Sequence, residues 1–225
     1  MQWNSLNWNA LDRLRAHFLA EEKVPGSYWT GREDLANYDF TYAQRIGWKW
    51  DAVLRELARL HWQPPDGNLL DWGCGSGIAS RRIIEHIGQE RVSELQLFDH
   101  SPAAVRFAQE RAHEEFPNLN VRVASPEVAR DGQPIGTLVL SHVLNELTDR
   151  DQGELLQLCH RAGTILWVEP GTHSVSRQLI AFREELRQEF RVIAPCPHQT
   201  SCGMLASGNE HHWCHFFADP PRGIM

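Results

Sequence analysis

Three of the five cysteines, Cys196, Cys202 and Cys214, fall within 19 residues near the end of the chain, among His198, His211, His212 and His215. Thiolate sulfur and imidazole nitrogen gathered on so short a segment form the donor set of a transition metal or an iron–sulfur cluster. A structural zinc site takes four ligands. The three cysteines and one histidine, with His198 and His215 the leading candidates, can supply them. An iron–sulfur cluster prefers a fourth cysteine, but only Cys74 and Cys159 remain, and spacing brings neither close. In an extended strand Cys214 points opposite to Trp213 and His215, toward the Cys196–Cys202 loop. Unligated thiols beside surface histidines are the structural alternative.

A second constellation lies mid-chain, where Leu69-Leu70-Asp71-Trp72-Gly73-Cys74-Gly75-Ser76-Gly77 ends a strand-like run and turns into a helix. Glycines let the backbone turn sharply and approach a ligand closely. The dinucleotide fingerprint is not met, because the third glycine comes one position early. The spacing instead resembles the D-x-G-x-G-x-G loop that holds S-adenosylmethionine. That cofactor carries a carboxylate and an amine but no pyrophosphate. On this reading Asp71 organises the methionine end above Gly73, Cys74, Gly75 and Gly77. Asp99, with His100 beside it, closes the next strand, where a carboxylate accepts from the two ribose hydroxyls. Ser125 follows the third strand, at the adenine edge, where the aspartate common in this fold is missing. The alternative is a glycine-rich turn with an incidental carboxylate, with Cys74 as a small packing residue.

Ser141 and His142 follow the fourth strand on the cofactor's reactive side, and His142, Asn145 and Glu146 are candidate substrate contacts. A structural role, capping the helix from Asp149 or lining the pocket, stands beside it for each of the three. The D/N-P-P-Y/F motif of amino-methylating enzymes is absent, and no cysteine pair suits pyrimidine C5 methylation. No general base is assigned. Alignment alone contributes about 7–11 kcal/mol to catalysis of such reactions, so a missing base leaves methyl transfer to a neutral nucleophile open.

The elements that must position these groups follow from periodicity. Residues 5–20 and 31–61 carry apolar side chains at helical spacing, separated by Pro25-Gly26 and ended by Pro64-Pro65-Asp66-Gly67. They read as a helical cap over residues 1–65, rich in tryptophan. From residue 68 strands alternate with helices: 68–72, 76–87, 95–99, 102–115, 120–123, 137–141, 149–160, 164–169 and 174–189. Ser101 and Pro102 mark one helix start. Strands over 190–194 and 212–218, with no helix between them, are expected as an antiparallel pair, a cysteine-rich hairpin over 195–216. The alternation predicts an α/β fold with a mostly parallel sheet covered on both faces, in the seven-stranded outline of class I methyltransferases. That domain spans residues 66–225.

The 225 residues suffice for one domain with an appended helical segment. No apolar run reaches the length of a membrane span, and no secretory signal is evident. With the clustered cysteines this leads to a cytoplasmic expectation and no membrane partner. The net charge of −7 sits entirely in residues 66–170, with nine basic and sixteen acidic side chains. Charge therefore argues mildly against broad phosphate neutralisation.

One combination of segments carries a family resemblance. It comprises VLNEL at 143–147, VEPGT at 168–172, a helix with Arg177 and Arg183, APCPH at 194–198 with Cys202, and WCHF at 213–216. Over about residues 30–217 the chain resembles the methyltransferase-like proteins associated with the small ribosomal subunit of bacteria and mitochondria. The resemblance implies a class I methyltransferase fold, cofactor binding at the glycine loop, and a role in small-subunit assembly or rRNA binding. It also implies an iron–sulfur cluster on Cys196, Cys202 and Cys214. The family's fourth cysteine has no counterpart here, and its Cys-Pro is Cys202-Gly203. The expected function is an S-adenosylmethionine-dependent methyltransferase or methyltransferase-like factor acting on the small subunit or its rRNA. The rivals are a small-molecule methyltransferase with the helical segment as a lid, and a non-catalytic assembly factor.

Overall fold

The computed structural model describes residues 2–19, 29–129 and 132–221. Five strands form one sheet: β1 (Gly67–Trp72), β2 (Val92–Phe98), β3 (Val121–Val123), β4 (Ile135–Ser141) and β5 (Ala162–Val168). Their order is β3-β2-β1-β4-β5, and every neighbouring pair is parallel. Parallel pairing requires a crossover each time, which places helices on both faces and buries the central strands. Leu69, Leu70, Leu95, Leu97, Leu138, Val139 and Leu140 accordingly retain at most a trace of exposed surface. Strand order reverses between β1 and β4, the place where loops leaving the carboxyl ends of such sheets diverge and ligands bind.

The crossover helices are α4 (Ile78–Ile87), α5 (Pro102–Glu115), α6 (Asp149–Cys159) and α7 (His173–Leu186). The Ser101 hydroxyl accepts from Ala104 N–H to start α5. Thr148 and Asp151 form a reciprocal capping box at the start of α6, so the capping alternative for His142, Asn145 and Glu146 is filled by other residues.

The sheet has five strands, not the expected seven. Among the described residues, 190–194 and 212–218 form no strand, and the hairpin over 195–216 is not made. Side chains take the backbone bonds that a strand partner would have taken. The Gln199 amide bonds both the N–H and the carbonyl of Val192. Arg177 donates to the carbonyls of Met204, Asn209 and His212. Arg183 donates to those of His198 and Thr200. Between these clamps the chain runs in local turns, Leu205 N–H to Cys202 and His212 N–H to Asn209.

The N-terminal segment folds as α1 (Trp8–Leu19), α2 (Arg32–Phe40) and α3 (Tyr42–Arg59). The single helical stretch expected over 31–61 is two helices. Thr41 breaks them at φ −119°, ψ −83°, its N–H bonded to Tyr38 and its hydroxyl to Asn37. The Pro25-Gly26 break lies outside the described residues. α3 shares the main core: Trp50, Leu54 and Leu57 pack with strand residues Leu69, Leu95 and Val139. A satellite cluster of Leu14, Trp29, Leu35, Ala104 and Phe107, flanked by Phe18 and Tyr38, seats α1 and α2 on α5.

Ions join the same layers. Arg81 of α4, 4% exposed, pairs with Asp39 of α2 and with Glu115 of α5, the latter at 2.5 Å. Arg111 is 3.4 Å from the other Asp39 oxygen. A concavity of about 230 Å³ walled by Arg81, Arg82, Arg111, Glu85 and Glu115 belongs to this network. Without Arg81 the Asp39 carboxylate keeps only Arg111 at 3.4 Å, so the cost lies at the low end of about 3–5 kcal/mol for breaking a buried pair. Arg81→Met should therefore lower the stability by roughly 3 kcal/mol in urea unfolding, and adding Asp39→Asn should recover at least half of the loss. A double variant no more stable than the single one would refute the assignment.

Candidate functional site

The glycine turn hangs from the end of β2. Gly73 N–H and Cys74 N–H both donate to the Phe98 carbonyl, at 2.8 and 2.9 Å. Gly73 lies at φ +77°, and a Cβ there would stand 2.6 Å from Val143 Cγ1, so the approach of the β4 loop requires glycine. Gly75, at φ +52°, faces open space, with nothing within 4 Å of where a Cβ would be. Gly77 leads into α4 as its N-cap.

Asp99 is tied to the turn through Gly75. One carboxylate oxygen accepts from Gly75 N–H at 2.9 Å and the other from Ser101 N–H at 2.8 Å. Each oxygen keeps a lone pair. Burial raises the Asp99 pKa, against the lowering effect of those amide bonds. Asp71 lies beneath the turn with no exposed surface. One of its oxygens lies 3.4 Å from the Ser80 amide nitrogen, and the other, Oδ1, has no partner among the described residues. Burial pushes its pKa up to about 6.

The remaining predicted positions divide. Cys74 is buried and its thiol pKa is pushed well up by burial, which suits a packing residue and not a nucleophile. His100 is exposed, with its ring edge-on to Trp72 and Phe98. Ser125 is exposed past β3, its carbonyl taken by Val128 N–H.

At the ends of β4 and β5 the structure assembles groups that no motif announced. Trp50 of α3 donates its indole N–H to Ser141 Oγ at 3.0 Å. The neighbouring Lys49 places its ammonium 2.8 Å from His142 Nε2. His142 sits at φ +59°, unusual for a side chain with a Cβ. Burial, reinforced by the nearby Lys49 charge, lowers its pKa to about 3, so the ring is neutral and Nε2 accepts. Glu169 follows β5; its Oε1 accepts from Val143 N–H, Leu144 N–H and Trp167 Nε1–H at 2.7–3.2 Å. Its Oε2 is buried without a partner, as is Asn145 Oδ1. Tyr38 of α2 reaches in from the aromatic cluster. Burial raises its phenol pKa, with further contributions from Glu146, Asp39 and Asp99. Glu146 thus belongs to the same corner. Helical periodicity places Lys49 and Tyr38 on α3 and α2 without revealing which strand ends those helices cross.

The cysteine tail is brought together loosely. Burial raises the Cys214 pKa, and the Cys196 and Cys202 thiols lie close enough to add to that shift. Glu184 of α7 accepts from Cys202 N–H at 3.0 Å, and Ser176 donates to the Cys214 carbonyl at 2.5 Å. The histidines are otherwise engaged: His198 Nδ1 lies 2.9 Å from the Thr200 hydroxyl, and His215 packs between Trp213 and Phe217. Among the described residues no three His, Cys, Asp or Glu side chains form a group that could hold a metal ion. The expected ligand set, Cys196, Cys202 and Cys214 with His198 or His215, is therefore not assembled, and neither zinc nor an iron–sulfur cluster is assigned.

The polar strand ends make stability depend on pH. Burial pushes Glu169 up to about 7 from 4.5, so between those values the folded chain keeps a proton that the unfolded chain releases. Stability from this group falls as pH rises through that window. His142 acts oppositely: its folded pKa near 3 lies below the ordinary 6.5, so its contribution is lost as pH falls through that range. Glu169→Gln removes only the first titration. Its melting temperature relative to the parent should rise between pH 4.5 and pH 8, equivalent to at most about 3 kcal/mol. A difference independent of pH would sink this account of Glu169.

Comparison with known proteins supplies the context. The sequence profile of the Rsm22 family, described as mitochondrial small ribosomal subunit Rsm22, matches residues 39–223. No curated protein sequence matches the chain. Among solved structures, an O-methyltransferase family protein from Burkholderia thailandensis is 14% identical with a TM-score of 0.51, covering 78% of this chain and 57% of that one. Magnesium protoporphyrin IX methyltransferase from Synechocystis with bound SAH is 18% identical, TM-score 0.46, covering 84% and 78%. An S-adenosylmethionine-dependent methyltransferase from Clostridium acetobutylicum is 12% identical, TM-score 0.45, covering 64% and 58%. At such identities the likeness speaks for the fold alone, which is the class I methyltransferase fold with a five-stranded parallel sheet. By its sequence over 39–223, the chain belongs to the Rsm22 family.

Proposed function

We propose that this chain is an S-adenosylmethionine-binding, methyltransferase-like factor that acts on the small ribosomal subunit through its rRNA. The cofactor lies over Gly73–Gly77, with its ribose hydroxyls on Asp99. The observation that carries this reading is the Asp99 carboxylate, held by the amides of Ser101 and of Gly75, the residue of the turn with nothing within 4 Å of where a Cβ would be. The partnerless Asp71 Oδ1 beneath the turn fits the same ligand, which brings an ammonium group. Rsm22 membership supports the small subunit as partner.

When bound, the cofactor supplies an electrophilic methyl group. The chain's own residues provide position and a dry setting more than proton transfer. His142 is neutral, and its Nε2 already accepts from Lys49. Glu169 Oε1 is committed to three donors. The acceptor is accordingly a nucleophile that needs no base, aligned near Asn145 and Glu146. Residues 1–65 act as a cap, with Tyr38 and Lys49 reaching over the strand ends. A non-catalytic assembly factor shares the binding steps and differs only in turnover.

Calorimetric titration with S-adenosylhomocysteine (SAH) tests the cofactor site. Asp99→Ala should weaken binding at least about tenfold, because two hydrogen bonds to a charged acceptor are lost. Absence of binding to the parent protein would end the cofactor reading. Co-sedimentation with small subunits should weaken steeply as salt rises from 50 to 200 mM, the signature of phosphate contacts. Salt-independent sedimentation would argue for a protein partner. Mass spectrometry of small-subunit rRNA from cells with and without the protein then separates turnover from binding alone.

A further inference from the structure

We infer that Lys49 is the carboxylate-binding residue of the cofactor site, the group on the N-terminal helices that recognises the amino-acid end of the ligand. This rests on the proposed cofactor reading and deepens it.

Lys49 lies on α3, half-buried, and its ammonium reaches His142 Nε2 at 2.8 Å. His142 directly precedes Val143, whose Cγ1 lies 2.6 Å from the position of a Gly73 Cβ. The ammonium therefore lies at the carboxyl end of β4, the strand paired with β1, whose exit loop is the glycine turn. Its one polar partner is a neutral imidazole. Among the described residues it enters no ion pair. A partly desolvated cation without a counter-ion is costly unless something anionic completes it. Burial lowers its pKa, and Glu169, close enough to oppose that shift, makes no ion pair with it. Glu169 is held elsewhere, its Oε1 fixed by the amides of Val143 and Leu144 and by Trp167.

The charge pattern matches a zwitterion. Lys49 offers up to two further N–H donors beyond the one used on His142. Glu169 Oε2, just past β5, and Asp71 Oδ1, near the end of β1, are buried acceptors without partners among the described residues, on the strands either side of β4. A ligand with both a carboxylate and an ammonium finds a donor on the cap and acceptors on the sheet. His142 Nε2 and the Trp50–Ser141 bond hold α3 in place, so the lysine is pre-set. Rigid placement reduces the ordering cost of binding.

The test compares SAH with 5′-methylthioadenosine, which shares the nucleoside and sulfur but lacks the amino-acid end. By calorimetry, Lys49→Met should weaken SAH binding at least about tenfold, the scale of a charge-assisted bond. It should change methylthioadenosine affinity by less than about twofold, and Lys49→Arg should restore most of the SAH affinity. Equal losses for both ligands, or no loss for SAH, would overturn the assignment. A parent protein that binds methylthioadenosine but gains nothing from the amino-acid end would overturn it too, leaving the nucleoside site standing. A parent that binds neither defeats the cofactor reading and this inference with it. Should the variants not fold, decarboxylated SAH on the parent protein reads the same contact. It should bind about tenfold more weakly than SAH, and equal affinity would refute a carboxylate contact.

Discussion

Two adjacent amides, those of Gly73 and Cys74, share one carbonyl, that of Phe98. This fork ties the loop after β1 to the end of β2, and the arrangement of the crevice depends on it. It fixes the height of the turn above the sheet. It brings Gly75 N–H to the Asp99 carboxylate, and it sets Gly73 under Val143. The switch in strand order then leaves room on the far side of β1, where β4 and β5 deliver Ser141, His142 and Glu169. The helices above are seated on that corner by consecutive residues, Lys49 and Trp50.

The corner runs against stability. Asp71, Glu169 and Asn145 each carry a buried oxygen without a partner, and burial raises the pKa of both carboxyls. Such groups are costly in a folded chain and gather where something is to be bound. Elsewhere the buried charges are compensated, as Asp39 is by Arg81 and Arg111, or Asp34 by Arg13 and Thr30. Buried charges thus meet opposite charges where α2 meets α4 and α5, whereas the carboxyl end of the sheet leaves carboxylate oxygens of Asp71 and Glu169 open.

Much of this was legible in the sequence. The apolar runs and their punctuation located all five strands within a few residues, and Ser101-Pro102 marked the start of α5. The glycine turn and Asp99 lie side by side because strand-terminal residues of neighbouring parallel strands must. Lys49, Trp50 and Tyr38 were not legible as site residues. They belong to helices whose placement depends on tertiary packing, and helical periodicity says which face is buried but not over which strand. The tail misled for a different reason. The stretches 190–194 and 212–218 have the look of strands, yet a strand exists only where a neighbour completes its ladder, and here Gln199 bonds Val192 while Arg177 and Ser176 of α7 bond the His212 and Cys214 carbonyls.

That substitution changes what the tail is sensitive to. One guanidinium, Arg177, gathers carbonyls from 27 to 35 residues further along the chain. A ladder demands matched lengths on both sides, whereas a radial clamp accepts any loop that returns its carbonyls to the same point. Insertions between Met204 and His212 can therefore enlarge or reshape this lobe without disturbing strand register. The thiol-bearing corner is free to vary in length while the sheet beneath it stays unchanged.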